Sequence, residues 1–314
     1  MGFHTVWLTY LGRRYGLLKA LEGRARQPAD LAKSLRLHAP AVDTWCQAAT
    51  AVGLIRHTAK GYALPRAHRE LVLAEASRRY LGGQFEYAAA MSLDYGRFDA
   101  LFRDGRSLSS LDRLRATQAV EAATIWDHTA FLEIALPRLR HVRGHLVRGA
   151  RVLDVGCGAG VWMVRAALRF PKSEFVGVDP DLEALTRARR HIERNDLEER
   201  VTAELGSGSH LDYAREFDLA YLGEVLSQVR DPVGTLKHVR RTLKPRAHLV
   251  LLEGLRPATV RKGDLVTAMG PDQALHGARF FSRPELARAL KAGGLRPRTP
   301  IHLGGGLWAV AAEA

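Results

Sequence analysis

Arg151-Val-Leu-Asp-Val-Gly-Cys-Gly-Ala-Gly160 decides the fold. An apolar run, Val152 to Val155, stops at three closely spaced glycines, and a helical pattern follows from Val161 to Phe170. This order reads as a buried parallel strand, a glycine turn and a helix start. Glycine admits positive φ and lets a ligand approach the main chain, and the first turn of the helix offers free N–H groups beside it. A second apolar strand, Phe175-Val-Gly-Val178, ends in Asp179. An acid at the tip of that strand can accept hydrogen bonds from both ribose hydroxyls of a nucleoside.

The third glycine arrives one residue too early for the G-x-G-x-x-G pattern of dinucleotide sites. An acid, Asp154, precedes the turn, and the turn holds no lysine. Two acids at adjacent strand ends suit a ligand that carries a cationic amino-acid group and a ribose, and do not suit a pyrophosphate.

At these residues the chain resembles the class I S-adenosylmethionine-dependent methyltransferases, whose first motif looks like 152–160 and whose second ends in an acid placed like Asp179. The resemblance runs over about 120–314 and implies S-adenosyl-L-methionine as cofactor. It implies contacts from Asp154, Gly156, Gly158, Gly160, Asp179, Pro180, Ser207, Gly208 and Gly223. The fold it implies is α/β, a Rossmann-like, mostly parallel sheet whose last strand is reversed. The rest of the chain alternates to match: a helix over 182–194, strands at 201–205 and 217–222, a helix over 233–243 and a strand at 248–253. Ser282-Arg-Pro-Glu285 has the serine cap, first-turn proline and acid of a helix start. That helix runs to Lys291, and short strands near 295–301 and 307–312 close the chain. Alternating strands and helices predict a parallel sheet.

Three stretches depart from the family pattern. Where many members carry an adenine-binding acid, this chain has Gly206-Ser-Gly-Ser209, and a serine bonds more weakly than a carboxylate. Where winged-helix members carry a His-Asp pair, with the histidine as base in O-methylation, it has Ser227-Gln228. Where Lys-Pro-Gly-Gly is usual, it has Lys244-Pro-Arg-Ala247. The second departure puts the usual base in doubt. Glu224, just past Gly223 at the C-terminal end of a strand, is the best-placed carboxylate, and His210 is a second candidate. Glu224 also reads as a contact to the cofactor's amino group or the acceptor, and His210 as a surface loop histidine.

The N-terminal segment carries helical patterns at 15–21, 27–33 and 39–52, then two short strands at 53–56 and 61–64. Three helices and a hairpin make a winged helix. The segment resembles the dimerisation domain of bacterial small-molecule methyltransferases, a match strengthened by Tyr80-Leu-Gly-Gly-Gln-Phe-Glu86 and Asp231-Pro-Val-Gly234. The third helix has no Arg or Lys over Val42 to Thr50, whereas recognition helices aim basic or amide side chains at base edges. DNA reading through it is disfavoured. Between 66 and 143 the pattern is helical over 71–80, 84–102 and 114–139, with a loop at 105–110. The stripe Tyr87, Met91, Tyr95 and Phe98 suits core, dimer interface or substrate pocket. Trp126 is expected as a pocket wall or core residue. Tyr95, Trp126 and Ser227 are the candidate acceptor contacts. The expected domains are a winged-helix and helical dimerisation domain at 1–110, a linking helix at 111–145 and the S-adenosylmethionine-binding domain at 146–314.

At 314 residues, with 46% hydrophobic and 25% charged residues, the composition is that of a two-domain globular chain. It has no apolar run of membrane-spanning length and no secretory start, so the reading is cytoplasmic. Two cysteines and 13 scattered histidines suggest neither a disulfide framework nor a metal site. The net charge of +14 comes mostly from arginine pairs spread along the chain rather than on one nucleic-acid face, and reads as a solvated basic surface or as attraction for an anionic substrate or RNA. Together these readings give a small-molecule methyltransferase acting as a homodimer, with the attacking atom open. Three other readings stand beside it. They are an RNA- or protein-directed methyltransferase, a winged-helix regulator that binds the cofactor and DNA, and an enzyme that uses the sulfonium for a reaction other than methyl transfer.

Overall fold

A computed structural model describes residues 2–108 and 114–314, with the side chains of 114–117 left aside. The expected domain boundary at 110/111 and the end of the 105–110 loop lie outside the described residues. The chain divides into two compact units, residues 1–99 with 110–126 and residues 100–109 with 127–314.

In the first unit, helices Pro28–Leu35 and Ala39–Ala51 are followed by the antiparallel pair β1 (Arg56–Thr58) and β2 (Gly61–Ala63). Leu17, Leu18, Leu21, Leu31, Val42, Trp45 and Ile55 are buried together and form its core. A helix that the hydrophobic pattern did not show, Gly2–Arg14, precedes them. Its buried residues are Thr9 and Gly12, so it carries no apolar stripe to read. Gly12 is there because a Cβ would stand 2.6 Å from the Trp45 ring. The amphipathic stretch 15–21 gives only Leu17–Ala20, since Gly16 takes φ 71° and breaks the helix before it.

The helical stretches expected at 71–80 and 84–102 are each interrupted. A helix runs over Arg66–Val72, and residues 73–81 turn back so that the Leu81 N–H meets the Leu71 carbonyl at 2.7 Å. Helix Gly82–Ser92 gives way to a tight turn at Tyr95–Arg97 and a short helix, Phe98–Asp104. Gly83 allows main-chain contact with the Ala122 carbonyl, which a Cβ would meet at 1.8 Å. Helix Leu114–Ala130 passes into a π-helical turn, Phe131–Ala135, instead of continuing to 139, and a separate helix covers Arg140–Arg148.

The second unit is built on β3 (Arg151–Val155), β4 (Glu174–Asp179), β5 (Val201–Leu205), β6 (Phe217–Gly223) and β7 (Leu243–Arg256). Two-residue strands β8 (Phe281–Ser282) and β9 (Arg296–Pro297) and the hairpin β10 (Ile301–Gly304) and β11 (Leu307–Glu313) complete it. The sheet runs β10-β11-β7-β6-β3-β4-β5. β3 through β7 are parallel to their neighbours, and β11 is antiparallel to β7, the expected reversed strand. β7 is longer than the apolar run at 248–253: Leu243 pairs with Phe217 across a register shift, and Gly254 to Arg256 pair with β11 and β8.

Helices Val161–Arg169, Leu182–Glu193, Pro232–Thr242 and Arg283–Ala292 connect the strands. Leu153, Val155, Leu222, Leu236, Leu249, Leu251 and Leu286 close one apolar layer of the core. Strand order reverses at β3, where the chain leaves β5 and returns as β6 on the other side. That is where open α/β sheets bind ligands.

Ser282 caps the last long helix by the expected chemistry: its hydroxyl accepts from Glu285 N, and the Glu285 carboxylate accepts from Ser282 N at 2.7 Å. Ser282→Ala is expected to cost about 1 kcal/mol. A urea midpoint equal to that of the wild type would show that the cap carries no stability.

Candidate functional site

Gly156, Gly158 and Gly160 have φ values of 73°, 52° and 71°, a left-handed turn that L side chains rarely adopt. Space imposes the same choice at Gly156, where a Cβ would meet Val225 Cγ2 at 2.5 Å. The N–H groups of Gly156 and Cys157 both reach the Val178 carbonyl of β4, at 2.7 and 3.1 Å. The turn is thus laced to the neighbouring strand as well as to its own. His191 holds its far side, with Nδ1 2.9 Å from the Ala159 carbonyl.

Asp179 closes the site from β4. One carboxylate oxygen accepts from Gly158 N and the other from Asp181 N, each at 2.9 Å. Burial raises its pKa, against the pull of these two N–H groups. Asp154, 2% exposed on β3, is raised well above the carboxylate range, by burial first and by Asp179 second. Pro180 is exposed between Asp179 and Asp181, and Asp181 caps the next helix through Glu183 N and Ala184 N. Gly208 brings its loop onto the strand ends, since a Cβ there would meet Thr235 Cγ2 at 3.0 Å and Val155 Cγ1 at 3.1 Å. Ser207 bonds to Ser209 at 2.8 Å.

Two further expected residues lie at the end of β6. Gly223 leads into Glu224, a non-glycine residue held at φ 56°. The Glu224 N–H bonds to the Leu252 carbonyl, and its Oε1 accepts from Gly254 N, both at 2.8 Å. Burial lifts its pKa to about 7 against the Gly254 N–H. Ser227 is 5% exposed, and it pulls the pKa of Glu253 down against burial. His210 is exposed, bonded to Ser209 Oγ at 3.1 Å, with its ring 6.2 Å from that of His238. Tyr95 and Trp126 belong to the first compact unit. Tyr95 is half-exposed against Phe98, and Trp126 Nε1 donates to the Arg78 carbonyl at 2.9 Å.

Several residues of this end were not singled out from the sequence. Asp127 is buried, and burial and then Glu224 raise its pKa well above the usual range. Glu253, wholly buried on β7, is raised in the same way by burial and Glu224, and its Oε1 accepts from Leu226 N at 2.7 Å. Tyr221 lies 2% exposed, stacked on Trp162 with ring centres 3.8 Å apart and planes at 1°. Neither the Tyr221 hydroxyl nor Trp162 Nε1 has a hydrogen-bond partner. His128, pushed down to about 3 by burial and then by Arg165, is neutral at physiological pH. The signal for Glu253 was its place at the tip of an apolar strand. Asp127 gave none, since a lone acid on a helix reads as a solvent-facing position.

Residues 146–266 match a family model described as a methyltransferase domain. The demethylmenaquinone methyltransferase of Lactiplantibacillus plantarum is 34% identical over 116 residues, 36% of this chain and 48% of that protein. A ubiquinone biosynthesis O-methyltransferase of Actinobacillus pleuropneumoniae is 31% identical over 134 residues, 40% of this chain and 56% of its own. The chain therefore spans about half the length of the curated relatives it matches. Human N-acetylserotonin methyltransferase, solved with S-adenosylmethionine, superposes with a TM-score of 0.78 at 17% identity over 99% of this chain and 94% of its own. The second unit has a Rossmann-like α/β fold, as the superposed structure has.

The carboxyl of Glu224 carries a stability cost that depends on pH. Its pKa rises from 4.5 to about 7 on folding. The folded state therefore holds the proton more tightly than the unfolded state, and the cost grows as pH rises through that window. At about 1.4 kcal/mol per unit, it reaches up to roughly 3 kcal/mol above neutrality. Glu224→Gln is expected to raise the urea midpoint at pH 8 and to leave it nearly unchanged at pH 4.5. An equal effect at both values would show that the carboxyl is not desolvated.

Proposed function

We propose that the protein is an S-adenosylmethionine-dependent methyltransferase acting on a small molecule. The observation that carries this reading is the Asp179 carboxylate drawn onto Gly158 N beside three left-handed glycines. The donor set fits the cofactor. Asp179 keeps lone pairs for the ribose hydroxyls, Asp154 offers an acid to the amino-acid end, and the glycine main chain leaves room for close approach. Ser207 and Gly208 would hold the adenine end, with Pro180 beside Asp179, and Gly223 would meet the methionine end. The cofactor supplies an electrophilic methyl group. The protein's part is to hold the acceptor in line with it, which alone accounts for much of the acceleration in such displacements.

The acceptor's proton is the second problem. The position of the family's histidine is Ser227, a buried hydroxyl that is a poor base without a histidine beside it. Glu224 is the group favoured to take the proton, because a carboxylate poised near neutrality is matched to that task. His210, exposed and turned to Ser209 and His238, is the second candidate. A pH–rate profile of wild type, Glu224→Gln and His210→Ala on an accepted substrate separates them. Loss of two or more orders of magnitude in one variant, with binding retained, identifies the base. If neither variant loses rate, positioning and the acceptor's own acidity carry the reaction.

The first unit is read as a winged-helix dimerisation domain. The protein is proposed to be a cytoplasmic homodimer that binds nucleic acid only in a salt-sensitive, sequence-independent way. Among the described residues, no helix is long and apolar enough to cross a membrane. A monomeric mass by light scattering at micromolar concentration would refute the dimer.

Asp179→Ala is expected to weaken S-adenosylhomocysteine binding by roughly 1.5–3 kcal/mol, about ten- to a hundredfold, as for hydrogen bonds to a charged group. Calorimetry giving the same affinity for the variant and the wild type would remove the ribose assignment.

A further inference from the structure

The acids beyond the glycine turn form a set of their own. Glu224 closes β6, Glu253 lies near the end of β7, and Asp127 follows the 114–126 stretch into the second unit. Main-chain groups fix two of them: Gly254 N holds Glu224 Oε1 at 2.8 Å, and Leu226 N holds Glu253 Oε1 at 2.7 Å. Glu224 is held at φ 56° although it is not glycine, a backbone state that costs energy unless the surroundings impose it. The Glu224 N–H bond to Leu252 and the Gln228 bond to the Glu224 carbonyl impose it here.

A second observation, independent of the acids, points to a ligand. The Tyr221 hydroxyl is buried without a partner beside the Gly223 main chain, where a Cβ would stand 3.0 Å from it. The same hydroxyl lies within the electrostatic reach of Asp127, Asp154 and Glu224. Glu253 Oε2 is buried and unpartnered as well. Buried polar groups left without partners cost free energy that a ligand can restore. The cations nearby are spoken for in part: Arg165 bonds to Thr129 at 2.8 Å, and His128 is neutral.

From this arrangement, and resting on the methyltransferase reading above, we propose that Asp127 and Glu224, with the Tyr221 hydroxyl, receive a protonated nitrogen of the acceptor. The acceptor class is then an amine or a basic nitrogen heterocycle, and a carboxylated acceptor is excluded. An ammonium group meets what the cluster lacks. It supplies N–H donors to carboxyls that burial holds uncharged, and its charge stabilises their ionised form. An anionic acceptor adds a further negative charge beside carboxyls whose ionised form burial already opposes, and so offers them no compensation. The net charge of +14 predicts the opposite preference, so the two accounts are separable.

The test measures binding to the full-length protein loaded with S-adenosylhomocysteine at pH 7.5. Matched pairs serve as probes: benzylamine and benzoate, tyramine and 4-hydroxyphenylacetate, tryptamine and indole-3-acetate. At least one amine is expected to bind tenfold or more tightly than its acid partner. Asp127→Asn and Glu224→Gln, singly and together, are expected to shrink that preference to threefold or less, while S-adenosylhomocysteine affinity shifts by less than threefold. Thermal melts establish that the amide variants fold.

Equal or tighter binding of the acids overturns the proposal, as does retention of no amine at all or a preference that survives in the double variant. A tenfold loss of S-adenosylhomocysteine affinity in the variants also overturns it, because the acids would then serve the cofactor's own ammonium group. Wild-type protein that fails to bind S-adenosylhomocysteine fails the methyltransferase reading itself, a result visible before any amine is added.

Discussion

The hydrogen bond from Gly158 N to Asp179 Oδ2 depends on a constraint set one strand earlier. β3 ends inside the sheet, and its chain must leave the sheet plane within five residues to start a helix over it. Only left-handed backbone at 156, 158 and 160 makes that exit, and it leaves N–H groups pointing at β4 rather than inward. Asp179 then meets one of them and Val178 two more. The helix after the turn, the acid on the next strand and the close approach of Val225 all follow from that exit. A side chain at 156 strikes Val225 and strains φ at once, so the fold and the binding surface fail together at this residue.

That dependence explains why the second unit was readable. Buried parallel strands have no polar face, so β3, β4 and β6 stand out as short apolar runs ended by glycine or acid. The cap at Ser282 has local chemistry that spacing alone reveals. The first unit was less legible because its helices are short and are joined by close main-chain contacts. The Gly2–Arg14 helix buries Thr9 and Gly12, and the 66–81 region turns back through the Leu81-to-Leu71 bond; neither leaves a periodic trace. The π-helical turn at 131–135 preserves apolar residues while shifting their phase, so the run to 139 reads as one helix in sequence.

The site divides in the same way. Residues whose chemistry is tied to a strand end, such as Asp154, Asp179 and Glu224, were legible. Those whose meaning comes from burial were not. Asp127 looks like any helical acid, and Tyr221 like any core aromatic. What makes them notable is a pairing across the sheet. Asp154 and Tyr221 are register partners on β3 and β6, and the Trp162 ring stacks over the tyrosine from the helix that the glycine turn begins. The stack limits how far the tyrosine ring can rotate toward a partner, and the hydroxyl stays without one.

Charge separates the surface from the site. The sequence sums to +14, and arginines such as Arg256 and Arg298 pair with the surface carboxylates of Glu285 and Glu313. Exposed pairs of this kind are worth little and are screened by salt. In the buried part of the second unit the balance inverts: Asp127, Asp154, Asp179, Glu224 and Glu253 are all shifted toward the protonated form, each first by burial. Net charge governs encounter at long range, where a Debye length of about 8 Å blurs individual groups. Discrimination happens where water is excluded and each group counts singly. The basic exterior and the acidic interior act at different distances, and the interior decides what is retained.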